Sequence, residues 1–431
     1  MARYSKQQFR FGLALESVRG TAEASPTKWY PIMEPDVKYA PALLEDKGLR
    51  GIRAEFGPVA GRKVGTGKFK LNLDAQSIGE FLYSLMGGVA SAEVSIVTID
   101  NTNNKLDFNI GAGELTATIT NAAYPIGTAH TQAGTLCKAI FDAIVAAEAV
   151  GTYTVSYSRS TKLFTITRSA GTFQLLRNTG TNVATSIWTT IGFSTAANST
   201  GALTYSSGTT VEYAFAHTFS LGTGTQPPSY TFFIDWGIDV KAYSLCVVDS
   251  INLSGPVDNL IEAEINFLFA NETSGASIGS PSFPTQRYLS FQHVTYSIAG
   301  SQNTDVRSWT LKMTNQAKHH LTLANSQAPQ DILAAEAFMV DGTIDIDFQA
   351  ETERAKMLAN TSSTQRMNIQ GATIAGSTKY GVDIPVTEPH YSEFPFGYEN
   401  AILAAKTPWK GYHNGTSIVL PVVTNQVVAY A

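Results

Sequence analysis

Only two cysteines, Cys137 and Cys246, occur in 431 residues. They lie far apart in the sequence, which excludes a disulfide framework and a multi-cysteine zinc site. Charge is scarce too: 15 % of residues are charged, against roughly 25 % in an average soluble domain. Thirty basic and thirty-five acidic side chains leave a net charge of −5. That balance provides no drive toward bare phosphate and argues against a dedicated DNA-binding protein. Hydrophobic residues reach 43 %, so the disordered class is excluded. No run approaches the roughly 18 uninterrupted apolar residues of a spanning helix, and no membrane span is expected. The start Met-Ala-Arg-Tyr-Ser-Lys-Gln-Gln lacks an apolar h-region and reads as a mature cytoplasmic N-terminus.

Catalytic signatures are missing as well. There is no phosphate loop ending in Gly-Lys-Ser/Thr, no Gly-x-Ser-x-Gly elbow and no His-Glu-x-x-His. Gly222-Thr223-Gly224 precedes Pro227-Pro228 rather than a helix and reads as a turn. The adjacent His319 and His320 would point to opposite faces of a strand and so cannot easily share a metal. Asp100-Asn101-Thr102-Asn103-Asn104 lacks the sixth-position glycine and distal glutamate of a calcium loop, and reads as a polar hairpin turn. Glu388-Pro389-His390, between Pro385 and Pro395, reads as a shaped arm. Glu262/Glu264 and Asp345/Asp347 form i,i+2 carboxylate pairs roughly 6–7 Å apart on a strand. That spacing would permit glycosidase chemistry, but a solvated sheet face explains it without more. The sequence calls for no catalytic residue, metal or cofactor.

What is present is β-pattern. Apolar residues alternate through Lys68–Asp74, Ile261–Phe267, Trp309–Met313 and Ile344–Phe348, giving each strand one buried and one wet face. Ser77 is placed to cap a helix over Ile78–Met86, with Glu80 completing a capping box and Gly87-Gly88 ending it. Gly67–Gln76 before that helix and Gly342–Ala350 before a predicted helix Glu353–Ala359 agree in spacing, so a duplicated fold and a chance strand–helix coincidence both stand open. Residues 91–210 are rich in Thr, Ser, Ala, Asn and Gly. They predict an inserted α+β module: strands Leu106–Ile110, Leu115–Ile119, Thr152–Tyr157 and Leu163–Arg168, a helix near Gly134–Ala149 and another near Val183–Ile191. The strand Tyr213–Leu221 follows it.

Several segments together resemble the major tail tube proteins of long-tailed bacteriophages. Ala14-Leu15-Glu16-Ser17-Val18-Arg19-Gly20-Thr21-Ala22 is similar to the family's "A-x-E-x-x-x-G-T-A" phrase, and Tyr30-Pro31-Ile32 follows it. Gly65–Asn72 and the Ile78–Gly88 helix precede the "H-x-F" strand, here His217-Thr218-Phe219, displaced by the insert. Pro228–Phe232, Tyr243–Leu253 and the closing Ser417–Val422 resemble further family strands. The likeness covers about residues 8–90 and 211–425.

The resemblance implies a mainly β fold: barrel-forming sheets of a β-sandwich with a flanking helix. The tube domain would span 1–90 and 211–431, with a second copy from about 290 if it is duplicated, and the 91–210 module outside. It further implies rings of identical subunits, trimeric and pseudo-hexameric or hexameric, stacked into a conduit for DNA ejection. The implied partners are the tape measure, terminator and distal tail proteins, with DNA passing through without specific binding. The implied location is the virion tail, assembled in the host bacterial cytoplasm. Glu262, Glu264, Asp345, Asp347 and Gln349 are candidates to line the lumen, where acids would repel phosphate weakly. Lys68 and Lys70 stand against their own strand being wholly luminal, or else place a cationic ring there. Met1–Pro41 and Glu388–Tyr412 read as inter-ring arms, with Trp29, Tyr30, Tyr39, Tyr391, Phe394, Phe396 and Trp409 as aromatic anchors. The alternatives are another virion surface or decoration protein with a host- or glycan-binding insert, and a polysaccharide-degrading enzyme using paired carboxylates.

Overall fold

The computed structural model describes residues 9–45, 57–324, 326–399 and 401–430; the first eight residues of the expected N-terminal arm lie outside them. Strands β1 (Arg10–Leu15), β2 (Met33–Leu44) and β3 (Val59–Asn72) lead into helix α1 (Ile78–Met86) and strand β4 (Gly87–Glu93). An interruption carries helix α2 (Leu136–Ala147), after which come β5 (Phe215–Leu221), β6 (Tyr230–Asp235), β7 (Val240–Pro256) and β8 (Glu262–Phe269). The chain continues through β9 (Val294–Ile298), β10 (Val306–Thr314), β11 (Met339–Asp347), helix α3 (Thr352–Leu358), β12 (Gln365–Ala375) and β13 (Thr378–Val386). It ends with β14 (Glu388–Tyr391), β15 (Phe396–Glu399), β16 (Ile402–Tyr412) and β17 (Val422–Asn425).

The fold is mainly β, and its two large sheets are antiparallel. The first runs β2-β3-β8-β7-β10-β11-β16, with β14 and β15 both on the far side of β16. The second runs β9-β12-β13-β17-β5-β4. Their apolar faces form one core: Phe69, Ile265, Leu253, Leu311 and Ile344 from the first sheet join Ile369, Val382, Val423 and Phe219 from the second, with Phe81 and Leu85 of α1. Alternation supplies this directly, since every second residue of these strands is apolar and buried. Large rings also lie flat across the first sheet onto glycines of the next strand. Phe267 opposes Gly67 and Trp409 opposes Gly342, and in both places the ring leaves no room for a Cβ.

The long strand β7 serves two groups of partners. Its first part pairs with β6, which pairs in turn with β1, and its second part with β8 and β10. The change falls at Leu245, whose φ is +55°. A non-glycine residue holds that conformation only when its surroundings fix it. Here the buried Glu16 carboxylate does so, accepting from Leu245 N at 2.7 Å, Ser229 Oγ at 2.6 Å, Thr231 Oγ1 at 3.2 Å and Gly20 N at 2.7 Å. Arg19 extends the staple, reaching Asp331 Oδ1 at 2.8 Å and the carbonyls of Pro227 and Ile332.

Helix α1 keeps its expected bounds but not its expected cap. Ser77 is itself helical, and its hydroxyl donates to Asp74 O at 3.2 Å instead of capping. Glu80 turns inward, ion-paired with Lys28 and accepting from Tyr230 Oη at 2.7 Å. The helix is entered from a turn that leaves no extended residue to act as cap, so the capping box does not form. Gly87 ends it in the left-handed region, at φ +84°.

The interruption has a hydrophobic core of its own, from Val97 to Phe215, built around Phe108, Ile140, Tyr153, Phe164 and Trp188. It leaves the second sheet after Glu93 and returns at Phe215, which is paired with Glu93, and Val94 N bonds Ala214 O at 2.8 Å across the neck. Helix α2 is capped by Thr135. The helix expected near Val183–Ile191 is a single 3-10 turn, Val183–Thr185, because Asp107 takes Asn182 N and the chain then turns to bury Ile187 and Trp188. Asp100–Asn104 is a turn, but it joins strands Val97–Ile99 and Lys105–Asn109, which pair elsewhere, so it closes no hairpin.

His217 of β5 is fully buried, with Ser91 Oγ at 2.8 Å from Nδ1, and Val427 O at 2.9 Å and Asn425 Oδ1 at 3.2 Å from Nε2. Two acceptors face Nε2, so that nitrogen carries a proton. Burial pushes its pKa below the usual histidine value, and that of His319 likewise.

Two outcomes follow. A folded-state pKa lowered below about 6.5 contributes stability that is present above that pH and lost as pH falls below it. The thermal midpoint therefore drops between pH 7.5 and 5, and His217→Asn flattens the drop. Glu16→Ala strands several buried donors and costs about 2–4 kcal/mol in urea unfolding.

Candidate assembly surface

The first sheet turns its other face to solvent, and the pairings place the polar residues in rows across it. One row reads Lys70, Glu264, Asn252, Lys312, Asp341, Lys410 and His390, crossing from β3 to β14. A second reads Asn72, Glu262, Ser254, Thr310, Thr343 and Pro408. A third places Asp345 between Ser308 and Lys406. Glu262, Glu264, Asp345 and Asp347 therefore share one face, and Lys68, Lys70, Lys312, Lys406 and Lys410 share it with them. The face is charge-mixed, not acidic. Lys70 is 3.0 Å from Glu34, and that hydrogen bond holds the ammonium pKa above its ordinary value.

At the β10–β11 end, Arg307 gathers the acids. Its guanidinium is 2.9 Å from Asp345, 3.1 Å from Asp347 and 2.9 Å from Glu399. One guanidinium thus contacts both aspartates, an arrangement that does not suit the acid-and-nucleophile division of a glycosidase. Gln349 lies beyond the end of β11, exposed, and donates to Asp305 Oδ1 at 3.0 Å, so it is not on the same strand as the two aspartates. Arg307 and the lysines of β10 and β16 were passed over in the sequence reading. The alternation Lys406-Thr407-Pro408-Trp409-Lys410 carries the signal for two of them.

The expected arms are strands. Residues 33–44 form β2, 388–391 form β14, 396–399 form β15 and 402–412 form β16. The aromatic candidates divide accordingly. Tyr30, Tyr391, Phe394 and Trp409 are buried in this chain's own core: Tyr30 packs 6.0 Å from Phe81, Tyr391 donates to Glu353 Oε2 at 2.9 Å, and Trp409 covers Gly342. Tyr391 and Trp409 occupy interior positions on β14 and β16, while Tyr30 lies beside β1, its N–H donating to Phe11 O, and Phe394 lies just before β15. Trp29 is half-buried with Nε1 donating to Ile278 O at 3.0 Å, and Tyr39 is half-buried beside Phe269. Phe396 stays 47 % exposed on the outer edge of the sheet.

Nothing at this surface brings a nucleophile to a base. Both cysteines are buried, the Cys137 thiol pushed up to about 12 by burial and the Cys246 thiol also raised. His319 bonds Phe269 O at 3.1 Å, while His320 is exposed. Among the described residues no three His, Cys, Asp or Glu side chains converge as metal ligands, and no helix is long and apolar enough to cross a membrane.

What the sheet does offer is backbone. Among the described residues β2 pairs only with β3, and β14 and β15 only with β16. An open edge of this length invites a further strand. No curated protein matches the chain. The profile of the family described as phage tail tube protein matches residues 7–399, nearly the whole chain, and a solvated sheet face between open edges, without catalytic chemistry, is in keeping with a structural protein of the virion tail: the chain belongs to the phage tail tube protein family.

Proposed function

We propose that the protein polymerises as stacked rings and forms the conduit through which DNA is ejected into the host. The observation that carries this reading is the first sheet: wet on one face, buried on the other and, among the described residues, open at both ends. In a closed ring the sheets of successive copies become one barrel, which removes the edges. The polar face lines the lumen. Its acids and lysines alternate at strand spacing, well inside a Debye length, so a passing duplex meets a nearly neutral average field and is not held. This replaces an acid-lined, repelling lumen with a charge-balanced one.

The chain contains the tube fold twice. The first copy orders its strands β2-β3-β8-β7, and the second β10-β11-β16-(β14, β15). In each, the second strand leads into a helix, α1 or α3, and in each an aromatic ring of the third strand covers a glycine of the second. Three chains then make six copies. Eight strand positions per chain give about 24 strands. At ~4.8 Å spacing and ~40° tilt, that is a backbone diameter near 48 Å, which admits one duplex with clearance after side chains are added. Six chains would double it. The 94–214 module hangs from β4 and β5, in the sheet away from the polar face, and so decorates the outside.

Negative-stain microscopy of the purified protein tests the reading. Three-fold rings or tubes with an axial channel are expected; compact particles that never stack would overturn it in favour of a decoration protein. Replacing residues 94–214 by a short Gly/Ser link, which the 2.8 Å contact across the neck allows, leaves tube assembly intact and narrows the outer diameter.

A further inference from the structure

The junction between the two copies inside the chain is a strand pair, β7 against β10, and it shows how two such copies meet. The register runs Ile251 opposite Met313, Leu253 opposite Leu311 and Ser254 opposite Thr310. Each of these residues has a counterpart at the outer edges. On one side, Leu311 opposes Gly342 as Val37 opposes Gly67, Met313 opposes Val340 as Tyr39 opposes Gly65, and Thr310 opposes Thr343 as Asp36 opposes Lys68. On the other side, Val248 opposes Phe267 as Tyr391 opposes Trp409. Four residues back along the third strand, Leu253 opposes Ala263 as Phe396 opposes Ala405, and Ser254 opposes Glu262 as Gly397 opposes Ala404. So β2 stands where β10 stands, and β14 with β15 stands where β7 stands.

At the positions matched to Leu253, Leu311 and Met313 burial differs in the direction a missing neighbour requires, while Tyr391, matched to Val248, is covered by its own chain. Leu253, Leu311 and Met313 are 1 %, 0 % and 0 % exposed. Their edge counterparts are open: Phe396 is 47 % exposed, and Val37 and Tyr39 are only half-buried. A sheet edge with large apolar side chains on its core-facing side and no strand beside it is an unfinished interface.

Resting on the ring reading, we propose that β15 of one chain pairs antiparallel with β2 of a second copy in the register of β7 with β10. Phe396 then lies opposite the partner's Val37, and Gly397 opposite the partner's Asp36. Each chain presents both edges, so the contact is head-to-tail, the kind that generates a ring when its rotation closes. The aromatic residues Tyr39 and Phe396 belong to the seam within a ring, not to contacts between rings. Cross-strand aromatic and β-branched pairs of this kind fix register.

Disulfide trapping tests the register. Gly397 accepts a side chain, since a Cβ there meets no atom within 4 Å. Directly opposed residues of an antiparallel pair lie about 4.5–5.5 Å apart at Cα, within disulfide range, and a two-residue displacement takes them beyond it. Positions 36 and 397 sit on opposite edges of one chain's sheet, so any bridge joins two chains, and Cys137 and Cys246 are buried and do not compete. Mild oxidation of assembled Asp36→Cys/Gly397→Cys protein is expected to give reducible covalent trimers. The displaced pair Lys38→Cys/Gly397→Cys is expected to give at least five-fold less. If the double variant does not assemble, a mixture of the two single variants reads the same contact as covalent dimers. Rings visible by microscopy with no 36–397 bridge, or with an equal yield from the displaced pair, overturn the seam and leave the tube reading standing. Absence of rings from the unmodified protein overturns both.

Discussion

A β-strand at the border of a sheet leaves the N–H and C=O of every second residue without a partner strand, and this constraint organises the molecule. The first sheet has two such borders, β2 at one end and β14 with β15 at the other. Short edges and charged side chains are the ordinary means of keeping strangers off. Here β2 is twelve residues long, and between its charged residues Asp36 and Lys38 and beyond them it carries half-buried Val37 and Tyr39. Prolines at 35, 41, 389 and 395 interrupt the donors on these strands and limit the registers available to a visitor. The rest of the fold holds the borders in place. The glycine–aromatic contacts pack the strands closely, Glu16 fixes the turn of β7, and Arg19 ties that turn to residues 331 and 332.

The polar face shows a second economy. A conduit lined with one sign of charge would either retain DNA or raise the energy of assembling many copies around a small perimeter. Pairing Lys70 with Glu264, Lys312 with Asp341, and Asp345 with Lys406 across neighbouring strands stabilises the sheet and lowers its long-range field. Exposed pairs of this kind contribute little each. Their value is in keeping the surface wet and nearly neutral while the backbone ladders carry the strength.

Much of the fold was legible because its signals are local. The alternation in Lys68–Asp74, Ile261–Phe267 and Ile344–Phe348 gave strands with the correct face buried, and Gly87 marked the end of α1. The phrase around Glu16 was visible as a pattern, but its reason was not. The carboxylate's partners, Ser229, Thr231 and Leu245, are more than two hundred residues away, and only folding brings them to it. Shorter but still non-local separations hid Arg307 from Asp345, 38 residues on, and from Glu399, and hid the lysines that share the face with Glu262 and Glu264. The aromatic residues of 388–412 looked like arm anchors because prolines broke the apparent pattern. Pro389 and Pro408 in fact sit within strands at or next to the edge, where a missing donor is tolerated. The helix expected at 183–191 failed because a buried Asp107 competes for the backbone there.

Amide hydrogen exchange, compared between the free chain and its assembled form, measures the central claim most directly. If neighbours complete the first sheet, amides of β2 and β15 exchange quickly in the free chain and gain protection on assembly, approaching that of β7 and β10. Edge amides already protected in the free chain, or still unprotected in formed tubes, would contradict it.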